Sequence, residues 1–216
     1  MRWFRRFLAV GVLWATLTFP GVAHADTGSC PVAAVSHGGG DGSLLTPYQI
    51  STPAHLQRLR DDSPSWGSVF VVTASLDMTA SGSTCTWETS IGRIGALFSG
   101  IFYGYGHEII DLNIAPPAAP VVIAGLFGVI ANATLDAIDF SGSVTATAAA
   151  DHQAIARAGG IVGLADGGSM ITDSSSAGTV LAAADDSVAP GDASASAGSG
   201  MTPAASTSRR HRSAHP

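Results

Sequence analysis

The residues in this chain whose types and spacing could do chemistry are its carboxylates and its tyrosines. Glu108 and Asp111 lie close together, and Asp136 follows after an interval that a repeating chain could fold back upon. Two carboxyl groups held roughly 5–9 Å apart can cleave a glycosidic bond, one protonating the leaving oxygen while the other attacks or activates water. Tyr103 and Tyr105 present flat rings of the kind that stack on the apolar face of a pyranose. His107 follows Gly106 directly and reads either as a base or as a corner residue. No Gly-x-Ser-x-Gly stretch is present, and Ser169 in Gly167-Gly168-Ser169 lacks the strand-to-helix turn that activates a serine. Cys30 and Cys85 lack the spacing of a zinc site, and Gly38-Gly39-Gly40-Asp41-Gly42 has no second copy in register to make a calcium-binding array. The sequence therefore calls for no metal and no cofactor. Glu108, Asp111 and Asp136 remain as catalytic candidates, and Tyr103 and Tyr105 as ligand contacts. Acids on turns are also what any acidic β-protein shows to water, so the outcome depends on the elements that carry them.

Those elements repeat. Gly125-Leu126-Phe127-Gly128 and Gly160-Ile161-Val162-Gly163 are two Gly-apolar-apolar-Gly tetrads, and each is followed by a Gly-x-Val, Gly142-Ser143-Val144 and Gly178-Thr179-Val180. Leu135, Ile138, Phe140, Gly142 and Val144 match Ile171, Ser174, Ser176, Gly178 and Val180 at an offset of 36. Ile109, Leu112 and Ile114 precede Leu135, Ile138 and Phe140 by 26, so the period is uneven, and the excess falls in the Ala-rich stretch from Thr147 to Ala158, which reads as a loop. Fixed-offset self-similarity is the mark of stacked repeats. One unit has too few apolar residues to close a core, but units stacked at about 4.8 Å bury their inward rows against each other. The expectation is an all-β parallel β-helix, or β-solenoid, over residues 47–180. Ser174 and Ser176 stand where the previous unit has apolar residues, which predicts a loosely packed last coil.

The repeat unit Gly160 to Val180 resembles the GLUG repeat, a Gly-Leu-x-Gly motif of large bacterial secreted and surface proteins. Phe98-Ser99-Gly100-Ile101-Phe102-Tyr103-Gly104-Tyr105-Gly106-His107-Glu108-Ile109 is similar to the block that precedes such repeats, with Tyr103 where an acid is usual. Trp87 with Ile91-Gly92 looks like the Trp-x-Pro-Ile-Gly segment ahead of it, with Ser90 in place of proline, and Gly42 to Ile50 looks like its first strand. The resemblance covers roughly residues 40 to 180. It implies a β-solenoid and a surface or secreted location, and it says little of activity. The pattern fails after Val180 and leaves the last coil without a cap, so either the tail lies across that edge or, as preferred, the chain is a truncated version of a longer repeat protein.

The flanks fit export. Arg2, Arg5 and Arg6 precede the apolar run Phe7 to Phe19 and the Ala23-His24-Ala25 cleavage pattern, so residues 1–25 read as a signal peptide and 26–46 as a lead-in segment. The apolar run is too short for a comfortable membrane span, and no span is expected after cleavage. The chain has no lysine. Arg58, Arg60, Arg93 and Arg157 stand against 16 acids in residues 26–208, a net charge of −12, which repels nucleic acid and anionic membranes. An even cysteine count in an exported chain points to a Cys30–Cys85 disulfide, with two free thiols as the alternative. Thr52 and Pro53 suit the N-cap and first turn of a short helix carrying Leu56 and Leu59 on one face, a natural lid for the first coil. Residues 181–216 lack apolar periodicity and read as a disordered tail. An uncapped last coil would expose strand edges and invite edge-to-edge self-association. Two functions follow as expectations. One is a non-enzymatic secreted or cell-surface module that binds an extracellular glycan or surface protein. The other is a carbohydrate-active β-helix enzyme, a lyase or hydrolase using surface carboxylates.

Overall fold

The computed structural model describes residues 27–28, 30–79, 85–151, 153–186, 194–198 and 205–209. The expected signal peptide, residues 1–25, lies outside the described residues. Before the repeats come β1 (Thr27–Gly28), β2 (Tyr48–Ile50), α1 (Pro53–Asp61), β3 (Val69–Val72), β4 (Leu76–Asp77) and β5 (Cys85–Trp87). One coil then holds β6 (Ile101–Tyr103), β7 (Glu108–Ile114), β8 (Val121–Ala124) and β9 (Phe127–Ala131). The next holds β10 (Thr134–Asp136), β11 (Asp139–Ala150), β12 (Ile155–Gly159) and β13 (Val162–Asp166). The last holds β14 (Met170–Thr172), β15 (Ser175–Asp186) and β16 (Ser194–Gly198), with β17 (Ala205–Arg209) beyond it.

Like strands lie on like, so the chain is a parallel β-solenoid of about three turns. Its first wall runs β2-β3-β6-β10-β14 and its second β5-β7-β11-β15-β17, with β4 also on β7. The third is β8-β12-β16 and the fourth β9-β13. Among the described strands β1 alone pairs antiparallel, on β5. Inside, side chains form columns. Phe70, Phe102, Leu135 and Ile171 stack along the first wall, Trp87, Ile114, Val144 and Val180 along the second, and Ile91, Phe127 and Val162 along the fourth. Leu135 is fully buried, as expected of a residue covered above and below. Fully burying each such aliphatic or aromatic side chain contributes about 1.5–3 kcal/mol.

The glycines of the motifs mark where coils touch. A Cβ on Gly142 would sit 2.0 Å from the Leu112 carbonyl oxygen, and one on Gly178 1.9 Å from that of Gly142. The Gly-x-Val motif is thus a column of close backbone approaches. The offset of 26 is not the structural one. Phe140 lies on Ile109, Gly142 on Leu112 and Val144 on Ile114. Between the first two pairs β7 places Ile110 and Asp111 opposite Ser141 alone, a β-bulge with Asp111 at φ 56°. The extra residue lets Ile109 and Leu112, three apart, both point inward.

Two further expectations are corrected. The Ala-rich stretch is no loop. It forms the end of β11 and most of β12, with Ala146, Ala148, Ala154, Ala156 and Ala158 facing in. Small side chains suit the narrow space between the second and third walls. Nor does regular structure stop at Val180. Strand β15 runs to Asp186 with Ala182 and Ala184 buried, and β16 and β17 add to β12 and β15. The rest of the tail lies outside the described residues. The loosely packed part of the last coil is β14, where Ile171 is 43 % exposed, since its first-wall column ends there. Ser174 itself is well held, accepting from the Ile138 N–H and donating to the Thr172 carbonyl.

The opposite end is closed. Thr52 caps α1 by accepting from the His55 N–H, and Leu56 and Leu59 are fully buried. Trp66 donates its indole N–H to the Leu59 carbonyl and Trp87 to the Gln57 side chain, both at 2.7 Å, pinning the lid to the first coil. Cys30 and Cys85 form a disulfide that ties the lead-in segment to β5.

Candidate functional site

The tyrosines sit on the corner between the first and second walls. On the next coil this corner is short, residues 137–138 joining β10 to β11, with Ala137 at φ 50° making the turn. On the tyrosine coil residues 104–107 join β6 to β7, so the corner protrudes. Tyr105 at φ 53° and Gly106 at φ 71° are two successive left-handed residues, and the His107 N–H closes the turn on the Gly104 carbonyl at 3.0 Å. That is the geometry of a type I′ turn. Gly104 has no room for a Cβ, which would lie 2.1 Å from the Ala137 carbonyl oxygen. The protrusion holds Tyr105 outward, 65 % exposed, with its ring nearly parallel to that of Tyr103 (8°, centroids 5.7 Å apart). A left-handed non-glycine residue costs on the order of 1–2 kcal/mol. A ring is therefore kept at a position better suited to glycine. His107 serves the turn through its backbone N–H.

Polar groups flank the rings. Asp136 lies beside Tyr103 in register and accepts from the Thr172 hydroxyl at 2.5 Å, so Tyr103, Asp136 and Thr172 make a row across three coils. The carboxylate candidates do not form one cluster. Glu108 begins β7 on the second wall, Asp136 ends β10 on the first, and Asp111 occupies the bulge. The acid in register with Glu108 is Asp139, which the sequence reading passed over. Adjacent strands set such partners about 4.8 Å apart. Asp139 in turn accepts from the Ser175 hydroxyl at 2.6 Å. Glu108, Asp139 and Ser175 share a shallow hollow that Asp111 and Asp136 do not line. The signal for this pairing was the equal distance of Asp139 and Ser175 from their coil's turn, which only the correct register discloses.

Among the described residues no group of three or more His, Cys, Asp or Glu is arranged to hold a metal ion, and no helix is long and apolar enough to cross a membrane. No family model matches the chain, and no curated protein or solved structure matches it either. The fold defines the class, a disulfide-bonded parallel β-solenoid, and the disulfide is compatible with an extracellular protein.

Proposed function

We propose that this chain is an exported, surface-associated β-solenoid of the GLUG-like kind that binds an extracellular glycan without chemically altering it. The observation that carries the reading is the protruding Tyr103–Tyr105 corner. The Tyr105 ring is held out by a strained turn, near-parallel to that of the half-buried Tyr103 at the end of β6, beside an acid and a hydroxyl. The rings offer apolar faces to a sugar, and Asp136 and Thr172 offer polar partners for its hydroxyls. A disulfide and a net charge of −12 over residues 26–208 suit a neutral glycan outside the cell better than a polyanion. The test is a glycan array probed with the wild-type protein and with Tyr103→Ala and Tyr105→Ala. Binding to a defined glycan that both variants lose supports the reading. An array without signal, or a signal both variants keep, refutes it.

A second reading, glycoside or uronate cleavage, draws on the register pairing of Glu108 with Asp139. New reducing ends or unsaturated products from a polysaccharide panel, lost in Glu108→Gln and Asp139→Asn, would establish it in place of the first.

A further inference from the structure

The third wall begins one coil late. Trp87 pairs with Ile114 and Ile91 with Phe127, so residues 88–90 bridge a gap that residues 115–126 span on the next coil. Those later residues include β8, which among the described residues has no strand on its first-coil side and is an edge of its sheet. The Pro120 carbonyl accepts from the Ile155 N–H on β12. Backbone direction alternates along a strand, so Val121 and Ile123 turn their N–H and C=O groups toward the free edge.

Beneath that edge lies a cleft of about 390 Å³, within the range of roughly 300–1,000 Å³ typical of ligand sites. Val121, Ile123, Pro116 and Ile94 give it apolar walls, and Glu88 and Arg93 its charges. Arg58 pairs with Asp62 and Arg60 with Asp61, whereas among the described residues Arg93, like Arg157, has no carboxylate partner. Its guanidinium rests 5.2 Å above the buried Trp66 ring, which fixes it in place without neutralising it.

We propose that this cleft binds an extended peptide that adds as a strand to β8, seats an apolar side chain between Val121 and Pro116, and places a carboxylate on Arg93. Main-chain hydrogen bonds at an open edge supply affinity, and the apolar walls and the cation supply selectivity. The site lies apart from the tyrosine corner and does not depend on the glycan reading.

The probe is a fluorescein-labelled peptide of alternating threonine and valine with a free terminal carboxylate, measured by anisotropy against the full chain. The expected result is saturable binding, weakened at least tenfold by amidating the terminus or by Arg93→Ala, and strengthened by Glu88→Gln. Val121→Pro removes an N–H that faces the free edge and spares the ladder to β12. It should also weaken binding, while the circular dichroism spectrum stays that of the wild type. If Val121→Pro alters that spectrum, an N-methylated peptide replaces it as the test of strand addition. No binding, equal binding of acid and amide, unchanged binding by Arg93→Ala or by the strand-addition test, or full displacement by decanoate each overturn the proposal.

Discussion

Gly142→Ala tests whether the coils are in contact as described. The new methyl group would lie 2.0 Å from the Leu112 carbonyl oxygen, 2.9 Å from its carbon and 3.1 Å from its nitrogen. All three are backbone atoms of the coil below, so no side chain can swing aside. Overpacking of this kind costs about 1–3 kcal/mol. The φ of 152° adds strain on the order of 1–3 kcal/mol for a residue with a side chain. The control is Gly106→Ala, which also takes a left-handed φ, 71°, but has nothing within 4 Å of the added carbon. It should cost only about 1–2 kcal/mol. At roughly 2–4 °C per kcal/mol for a domain of this size, the summed cost of about 2–6 kcal/mol means Gly142→Ala should lower Tm by about 4–24 °C, and Gly106→Ala by about 2–8 °C. The assay is thermal unfolding followed by circular dichroism. Equal shifts for the two variants would refute the argument, because the same substitution in both cases differs chiefly in what lies beneath it.

Reducing the Cys30–Cys85 bond removes no atoms and frees a loop of 55 residues' separation. The chain-entropy relation gives a loss of about 4 kcal/mol, so a thermal shift of roughly 8–16 °C on adding reductant is expected, and none in Cys30→Ser/Cys85→Ser. His37 packs against Tyr48 and Phe70 with its ring centroid 4.4 and 5.4 Å from theirs, and burial holds its imidazole below the ordinary value of 6.5. Asp62 at 3.7 Å pulls the other way, Arg58 and His55 reinforce the lowering, and burial is the largest cause. Because the folded state favours the neutral ring, its contribution is present above pH 6.5 and is lost as pH falls below that value toward the lower folded pKa. Urea unfolding from pH 8 to 5 should show that decline in the wild type, and His37→Phe should flatten it. Asp41, held at about 2 by hydrogen bonds from Thr46 and Ser43, and Asp77, lowered by those of Thr79, act only in more acidic solution.

Much of the architecture was legible because its causes are local or periodic. The offset of 36 between Leu135 and Ile171 is the stacking register itself, and cross-coil hydrogen bonds such as Thr172 to Asp136 repeat it. Thr52 and Pro53 announced the helix, and Cys30 and Cys85, the two cysteines of the chain, met in the expected disulfide. The misreadings share a cause. Alanine carries little bulk, so the alternation that makes β11 and β12 strands was hidden in a run that looked like a loop, and the same blindness ended the solenoid at Val180. The bulge at Asp111 broke the phase of β7, producing a false offset of 26 and hiding the match of Glu108 with Asp139. The tyrosine corner was half visible. Its glycines were plain, but two extra residues relative to the next coil become a protrusion only when the coils are laid in register.

The most direct test of the glycan reading is the affinity of Tyr105→Phe and Tyr105→Ala for the glycan the wild type selects, measured by titration calorimetry. The prediction is that Phe, which keeps the ring, binds within about threefold of the wild type, and that Ala loses at least roughly tenfold, or about 1.4 kcal/mol. Alanine binding as tightly as tyrosine would contradict the account.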